Sequence, residues 1–189
     1  MRTLNADICT LEPQIEAHAS EMFAVLCDPA IYEFEGEPPP SAEALAAGYR
    51  RKESRCSPDG SQVWLNWVVR VPGGALTGYV QATVMRGSYS YIGYEFSSQY
   101  WRRGIASAAL RAVFLELSRE YQVHQLVAVL KKSNYRSLGL LRKLGFTEAP
   151  AEQWAKFEPE PDELVMLASC VGAEAPNPSC KRTGLRRSA

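Results

Sequence analysis

The chain has 189 residues, of which 46% are apolar and 22% are charged, and its formal net charge is zero. This size and composition predict one soluble globular domain with its own core, and the neutral charge gives no support for nucleic-acid or membrane binding. Five scattered cysteines without a C-x-x-C pair, and only two histidines, argue against a disulfide framework and a metal site. The sequence shows neither a secretory signal nor an apolar run of about 18 residues, so we expect a cytoplasmic, metal-free protein.

The first half of the chain predicts two helices and then a group of strands. After a short strand, the apolar spacing predicts a helix over residues 13–27, with Pro13 in its first turn. A proline-rich stretch ends this helix, and Ser41 caps a second helix over residues 42–52. Three strands joined by short turns follow and indicate an antiparallel meander: residues 62–71, 75–85 and 89–96.

The second half begins with a long apolar helix. Residues 105–121 are apolar on nearly all sides, so we expect this helix to be largely buried. A buried strand over residues 124–130 follows, and then a helix over residues 133–146 that ends at Gly145.

The C-terminal part predicts one more strand and a tail. The strand covers residues 163–169, and a candidate strand near residues 153–157 precedes it. From residue 171 onward polar and basic residues dominate, which predicts a disordered basic tail over 171–189. The prediction is therefore an α+β domain over residues 1–170, in which a strand–helix–strand–helix unit follows the meander.

Charged residues are distributed unevenly along this domain. Residues 1–60 contain eleven acids and five bases, whereas residues 100–143 contain nine bases and two acids. An acidic front and a basic middle predict a cationic ligand and an anionic ligand, respectively. The alternative is that both segments form ordinary solvated faces.

The junction "QYWRRGIAS", between the third meander strand and the long apolar helix, predicts an anion site. The first N–H groups of a helix lack partners within the helix and, with its dipole, attract an anion. Gly104, Ala106 and Ser107 are small enough to let a phosphate approach the main chain, and Arg102 and Arg103 add positive charge. The alternative is a loop whose arginines point into water.

Two segments of the sequence resemble the GNAT acetyltransferase superfamily. "WRRGIA" (101–106) resembles the pyrophosphate loop of that family, and "NYRSLGLLRKLGF" (134–146) resembles its later helix. The pair Tyr100 and Trp101 and the "IGY" at 92–94 are similar to the Rim-type branch, which acetylates the N-termini of ribosomal proteins. The resemblance implies a mixed, mainly antiparallel sheet flanked by helices, with a splayed central strand pair that binds acyl-CoA.

The resemblance also implies roles for individual residues. The loop 102–107 would bind the CoA pyrophosphate through backbone N–H groups, and the strand end 94–97 would pair with the pantetheine arm. Asn134 would contact the cofactor near its thioester, and Ser137 would protonate the departing thiolate. Alternatively, Asn134 is only a helix cap and Ser137 only a small packing residue. The candidate cofactor-binding residues are Tyr94, Phe96, Arg102, Arg103, Gly104, Ile105, Ala106, Ser107 and Asn134.

The sequence departs from the family pattern at two positions that matter for acid–base chemistry. Leu141 occupies the position at which many members carry a tyrosine acid, and Tyr91 occupies the position at which the branch often has a glutamate. Glu95 shares a strand face with Tyr91 by the period of two and is a candidate base, or else a solvated carboxylate at a strand end. Glu33, Glu35 and Glu37 are candidates for attracting an amine.

Together these features predict an acetyl-CoA-dependent N-acetyltransferase that transfers the acetyl group directly to a primary amine, either a protein N-terminus or a small molecule. Only a neutral amine attacks a thioester. Deprotonation at pH 7.4 costs about 4 kcal/mol for a lysine amine but under about 1 kcal/mol for an α-amine. A site without a strong base therefore favours an α-amine.

Two other functions remain open at this stage. Tyr91 and Leu141 favour a non-catalytic acyl-CoA-binding or sensor domain of the same fold, which would bind acetyl-CoA without turnover. A nucleic-acid binder that uses the basic middle is disfavoured by the zero net charge. We expect a monomer or a homodimer, with no nucleic-acid or membrane partner.

Overall fold

A computed structural model describes residues 1–154 and 156–170 of the chain. The tail predicted for residues 171–189 lies outside these residues. The strands are β1 (Leu4–Ala6), β2 (Cys9–Pro13), β3 (Gln62–Arg70), β4 (Leu76–Met85), β5 (Tyr89–Phe96), β6 (Gln125–Lys131), β7 (Thr147–Glu148) and β8 (Glu163–Ser169). The α-helices are α1 (Ala19–Leu26), α2 (Ala42–Lys52), α3 (Ile105–Glu120), α4 (Tyr135–Lys143) and α5 (Ala151–Trp154). Short 3₁₀ turns cover Glu16–His18, Pro29–Tyr32 and Ser98–Tyr100.

The strands form an eight-stranded sheet in the order β1-β2-β3-β4-β5-β6-β8-β7. The predicted meander is β3–β4–β5, in which each strand pairs antiparallel with the next. β5 and β6 run parallel, and α3 makes the crossover that parallel neighbours require. The prediction of an α+β fold with a mixed, mainly antiparallel sheet is therefore confirmed.

The helix predicted over residues 13–27 is wrong in its first part. Pro13 is the last residue of β2 and lies opposite Trp67 of β3. Cys9 and Leu11 of β2 are buried, with the period of two that a strand requires. Pairing with β3 therefore overrides the local helix signal, and α1 begins only at Ala19.

The strand predicted near residues 153–157 is also wrong, because α5 occupies Ala151–Trp154. Pro150 stands just before the helix, where a proline suits the first turn. The Gln153 backbone N–H donates to the Pro150 carbonyl at 2.9 Å, and the Trp154 indole N–H donates to the Ala149 carbonyl at the same distance. These local hydrogen bonds close the turn that the sequence pattern did not reveal.

Helices cover both faces of the sheet, so that strand residues alternate between two cores. Trp67 faces the core built by α3 and α4, whereas its neighbour Val68 faces the core built by α1 and α2. α3 buries one side completely, and only Arg111, Arg119 and Glu120 are exposed. The expectation that this helix is largely buried is therefore confirmed, and the half-buried residues on its other side make it amphipathic.

The feature that positions the site is the separation of β5 from β6. Their parallel pairing runs from Tyr89 opposite Gln125 to Tyr91 opposite Val127 and stops there. β5 nevertheless continues to Phe96, paired on its other side with β4. A wedge therefore opens between the C-terminal ends of β5 and β6, which confirms the predicted splayed strand pair.

Replacement of Leu110 by alanine tests the packing of α3 on the sheet. Leu110 is completely buried in this core, so we expect Leu110→Ala to lower the free energy of unfolding by about 3 kcal/mol, as measured by urea denaturation. Leu115→Ala makes the same change on a half-buried side of the same helix and should cost about 1 kcal/mol or less. Equal losses would contradict the assigned face of α3.

Candidate active site

The predicted anion loop lies directly at the N-terminus of α3. Gly104 is the cap residue and has a left-handed backbone, with φ of +83°. A Cβ at this position would meet only a methyl group of Ile8, at 3.7 Å, so the backbone conformation rather than space favours glycine. Arg102 and Arg103 are exposed beside it. The loop thus combines free N–H donors with two guanidinium groups, as an anion site requires.

The other predicted loop residues differ in exposure. Ile105 is buried in the core, and Ala106 and Ser107 are half-buried in the first turn of α3. Ile105 therefore anchors the helix, and its contribution to an anion would come from its backbone. Phe96 is likewise buried, and its carbonyl accepts a 2.7 Å hydrogen bond from the Trp101 indole. That bond fixes the loop to the end of β5.

Asp28 holds the connection between α1 and α2 against the end of β5. One carboxylate oxygen accepts hydrogen bonds from the Ser98 backbone N–H at 2.6 Å and the Ser97 hydroxyl at 3.1 Å. The other accepts from the Ala30 N–H at 3.1 Å. Burial alone raises the pKa of Asp28, but these hydrogen bonds outweigh it and leave the pKa below its ordinary value. The sequence analysis missed Asp28, although an Asp-Pro pair ahead of a turn is a capping signal.

Arg136, on the first turn of α4, also contacts the segment between α1 and α2. Its guanidinium lies 4.6 Å from the centroid of the Trp101 ring, 5.2 Å from that of Tyr135 and 5.3 Å from that of Phe34. It also pairs with Glu33 at 2.5 Å. Arg136 therefore links α4 to the anion loop and to the connection that contains residues 33–34. Sequence reasoning missed this cluster because its members lie far apart along the chain.

A hydroxyl pair joins β5 to α4 beside the wedge. The Tyr94 hydroxyl of β5 and the Ser137 hydroxyl of α4 are 2.6 Å apart. Burial raises the pKa of Tyr94 to about 12, against a smaller lowering by its hydrogen bond to Ser137, so Tyr94 keeps its proton at neutral pH. Asn134 accepts from the Ser137 backbone N–H at 3.0 Å and is the N-cap of α4. Leu141, in contrast, is buried in the core.

Glu95 lies on the opposite face of β5 from Tyr94, opposite Tyr79 of β4. It is half-buried, which contradicts the alternative of a solvated carboxylate. Burial raises the pKa of Glu95, the nearby charge of Glu35 raises it further, and the Tyr79 hydroxyl and Lys52 oppose that rise. The hydroxyls of Tyr32 and Tyr49 also lie near this carboxylate, whose charge contributes to the raised pKa of each.

The remaining acids and Tyr91 are placed differently. Glu33 forms an ion pair with Arg136, and Glu37 is exposed. Of the three acids in the proline-rich stretch, Glu35 is therefore the one whose charge raises the pKa of Glu95.

Tyr91 packs edge-to-face with Tyr89 and Phe157, at centroid distances of 5.9 and 6.2 Å. An aromatic side chain that packs against other aromatic rings therefore occupies the position at which the Rim-type branch often has a glutamate.

Residues 1–154 and 156–170 contain neither a candidate membrane-spanning helix nor a candidate metal cluster. None of the helices there has the length and apolar character needed to cross a membrane. No group of three or more His, Cys, Asp and Glu side chains is placed to hold a metal ion.

Comparison with known proteins identifies the family. Residues 9–147 match the family described as the acetyltransferase (GNAT) domain. The chain belongs to the GNAT acetyltransferase family. No curated protein matches it in sequence.

Solved structures of GNAT proteins share the fold. A RimL ribosomal L7/L12 alpha-N-protein acetyltransferase in complex with coenzyme A has a TM-score of 0.74 at 15% identity, covering 91% of this chain and 99% of that one. A ribosomal-protein-S5-alanine acetyltransferase from Vibrio fischeri has a TM-score of 0.72 at 13% identity, covering 88% and 96%. Mycobacterium smegmatis RimJ in complex with CoA-disulfide has a TM-score of 0.68 at 19% identity, covering 88% and 85%. At these identities the likeness shows the GNAT fold, including Rim-type members.

We predict that Arg136→Ala loosens the connection between α1 and α2. Loss of the guanidinium removes its ion pair with Glu33 and its stacking on Phe34, so amide hydrogen exchange over residues 32–37 should accelerate about tenfold. Arg142→Ala is the control, because Arg142 is an exposed residue on the last turn of the same helix. Unchanged exchange in Arg136→Ala would show that the cluster does not restrain the connection.

Proposed function

We propose that this GNAT protein is an acetyl-CoA-dependent N-acetyltransferase that moves the acetyl group directly to a primary amine, with an α-amine favoured over lysine. The observation that carries the proposal is the wedge between β5 and β6, which has the anion loop at its outer end and Tyr94 with Ser137 on its wall. Two of the GNAT structures that share the fold are described as holding coenzyme A or its disulfide. The fold therefore has a precedent for this donor.

The donor would bind along the free edge of β5. Its pyrophosphate would accept hydrogen bonds from the N–H groups of residues 104–107, with Arg102 and Arg103 adding charge. Its pantetheine arm would pair with the backbone of residues 94–97, which β6 leaves free. Asn134 caps α4 through its carbonyl oxygen, so the amide NH₂ is the part of this side chain that would contact the donor.

The reaction needs one bond formed, one bond broken and two proton transfers. The amine nitrogen bonds to the thioester carbonyl carbon, and the C–S bond breaks. Ser137 gives its hydroxyl proton to the departing sulfur and takes one from Tyr94, which is reprotonated from solvent. Glu95 accepts the proton that the nitrogen loses, directly or through water. Because most of the rate gain comes from holding amine and thioester together, modest acid and base groups are sufficient.

An α-amine fits the acid–base groups better than lysine does. Burial raises the pKa of Glu95, which strengthens it as a base. Proton transfer from a lysine ammonium to this carboxylate is nevertheless unfavourable in free energy. The free-energy cost of that deprotonation at pH 7.4 is about 4 kcal/mol for lysine and under about 1 kcal/mol for an α-amine. Efficient acetylation of lysine without α-amine activity would contradict this part of the proposal.

Calorimetric titration of acetyl-CoA tests the donor site. We expect micromolar binding by the wild type and at least a hundredfold loss in Gly104→Glu, because a carboxylate would then face the pyrophosphate. Gly104→Ala is the matched control. It imposes the same left-handed strain without added charge and should keep most of the affinity. Absence of binding by the folded wild type would refute the proposal.

Variants of the hydroxyl pair test the proton path to sulfur. We expect Ser137→Ala to lower kcat about a hundredfold and Tyr94→Phe about tenfold, with free thiol release as the readout and little change in acetyl-CoA affinity. Tyr91→Phe removes a hydroxyl from the same strand within the separate aromatic cluster and should leave kcat unchanged. Equal rates in all three variants would remove the acid role from this pair.

The alternative is a non-catalytic acyl-CoA sensor. It is favoured by the packing of Tyr91 against Phe157 and by the burial of Leu141, which leave both usual acid–base positions without a reactive group. Such a protein would bind acetyl-CoA but release no free CoA with any amine. That outcome separates it from an enzyme.

A further inference from the structure

A groove lies on the face of the sheet that α2 covers only in part. α2 ends at Lys52, and beyond it the sheet is left open to form a cavity of about 670 Å³. Its floor is formed by side chains of β3 and β4, and its rim by the end of α2 and the chain that follows. The residues that line it include Arg51, Lys52, Trp64, Asn66, Gln81 and Thr83.

The groove leads to the candidate base. In the β4–β5 register Gln81 lies opposite Gly93, and Tyr79 lies opposite Glu95. The Gln81 side chain lies across Gly93, since a Cβ there would be only 2.8 Å from the Gln81 amide nitrogen. Glu95 follows two residues later on the same face, about 7 Å along the strand. The lining of the groove ends at Gln81, so a ligand has to extend past this side chain to reach Glu95.

The two ends of this path carry opposite charges. Lys52 and Arg51 line the groove, and the lining residues include no acid. Neither cation forms an ion pair within the described part of the chain. Glu95 and Glu35 provide negative charge beyond the groove, and Lys52 is close enough to Glu95 for each charge to affect the pKa of the other group. An anion is favoured in the groove, and a cation or an amine is favoured beside β5.

The hydroxyl of Tyr49 independently indicates that a hydrogen-bonding partner is missing near Glu95. This residue on α2 is only 4% exposed, and its hydroxyl has no hydrogen-bond partner among the described residues. It lies close enough to Glu95 for the carboxylate charge to affect it. A buried hydroxyl without a partner is unfavourable, and an amine nitrogen held by Glu95 would satisfy it.

We infer that this groove is the acceptor site and that it takes a primary amine bearing a carboxylate a few ångströms away. The amine faces Glu95 and Tyr49, and the carboxylate faces Lys52 and Arg51. The inference rests on the proposed acetyltransferase function and adds the class of acceptor. Two sources share this chemistry: a free amino acid, and a peptide N-terminus with an acidic side chain close behind it.

The test compares acceptors that differ only in their charge. The probes are a free amino acid and its carboxamide, together with an acidic tetrapeptide and its glutamine counterpart, each assayed by release of free CoA. We expect the wild type to prefer the carboxylate form of at least one pair by about tenfold to a hundredfold in kcat/KM. Preference for the free amino acid indicates a small-molecule acceptor, and preference for the acidic peptide indicates a protein N-terminus.

The variant Lys52→Gln tests whether the preference for a carboxylate arises in the groove. It should lower kcat/KM for the carboxylate acceptor about tenfold more than for the carboxamide, because any change in the basicity of Glu95 affects both acceptors alike, and leave acetyl-CoA binding intact by calorimetry. Lys143→Gln makes the same change at an exposed position at the end of α4 and should alter neither acceptor.

The possible failures are distinguishable. Equal use of carboxylate and carboxamide by an active wild type, or equal slowing of both by Lys52→Gln, would overturn the inference and leave the acetyltransferase function standing. Binding of acetyl-CoA without turnover of any amine would overturn the proposed function, and the inference with it.

Discussion

The separation of β5 from β6 is the constraint on which the rest of the site depends. β5 is held on one side by β4, where Gly78 approaches so closely that a Cβ would lie 2.1 Å from the Glu95 carbonyl oxygen. On the other side its pairing with β6 ends at Tyr91. Backbone groups that would otherwise complete a sheet ladder therefore face a wedge, and such groups favour a partner. A ligand with amide groups of its own is suited to supply one.

The alternation of side chains along β5 places the proposed acid pair and the proposed base on opposite faces of the sheet. Tyr94 and Glu95 are neighbours on β5, but their side chains point to opposite faces of the sheet. Tyr94 meets Ser137 on α4, while Glu95 meets Tyr79 and the end of α2. The proposed acid and the proposed base therefore approach the same stretch of strand from opposite sides. A thioester in the wedge and an amine on the α2 face would meet between them.

The connection between α1 and α2 is joined to this arrangement at two points. Asp28 accepts hydrogen bonds from the end of β5, and Glu33 pairs with Arg136 of α4. One acid of the acidic front, Glu33, thus pairs with one base of the basic middle, Arg136. The cost of ordering this proline-rich connection is offset by charged hydrogen bonds and aromatic stacking, which hold it beside the anion loop and Glu95.

The sequence by itself determined the elements whose signals are local. Alternating side chains and short turns predict the meander, Gly104 with its arginines predicts the anion loop, and Asn134 predicts the start of α4. Only the tertiary structure decided which residues meet. The pairing of β2 with β3 placed Pro13 in a strand, and packing brought Tyr94 to Ser137, 43 positions away along the chain. Helix caps and turns depend on neighbouring residues, whereas the wedge, the Arg136 cluster and the groove beside α2 depend on contacts between residues that are distant in sequence.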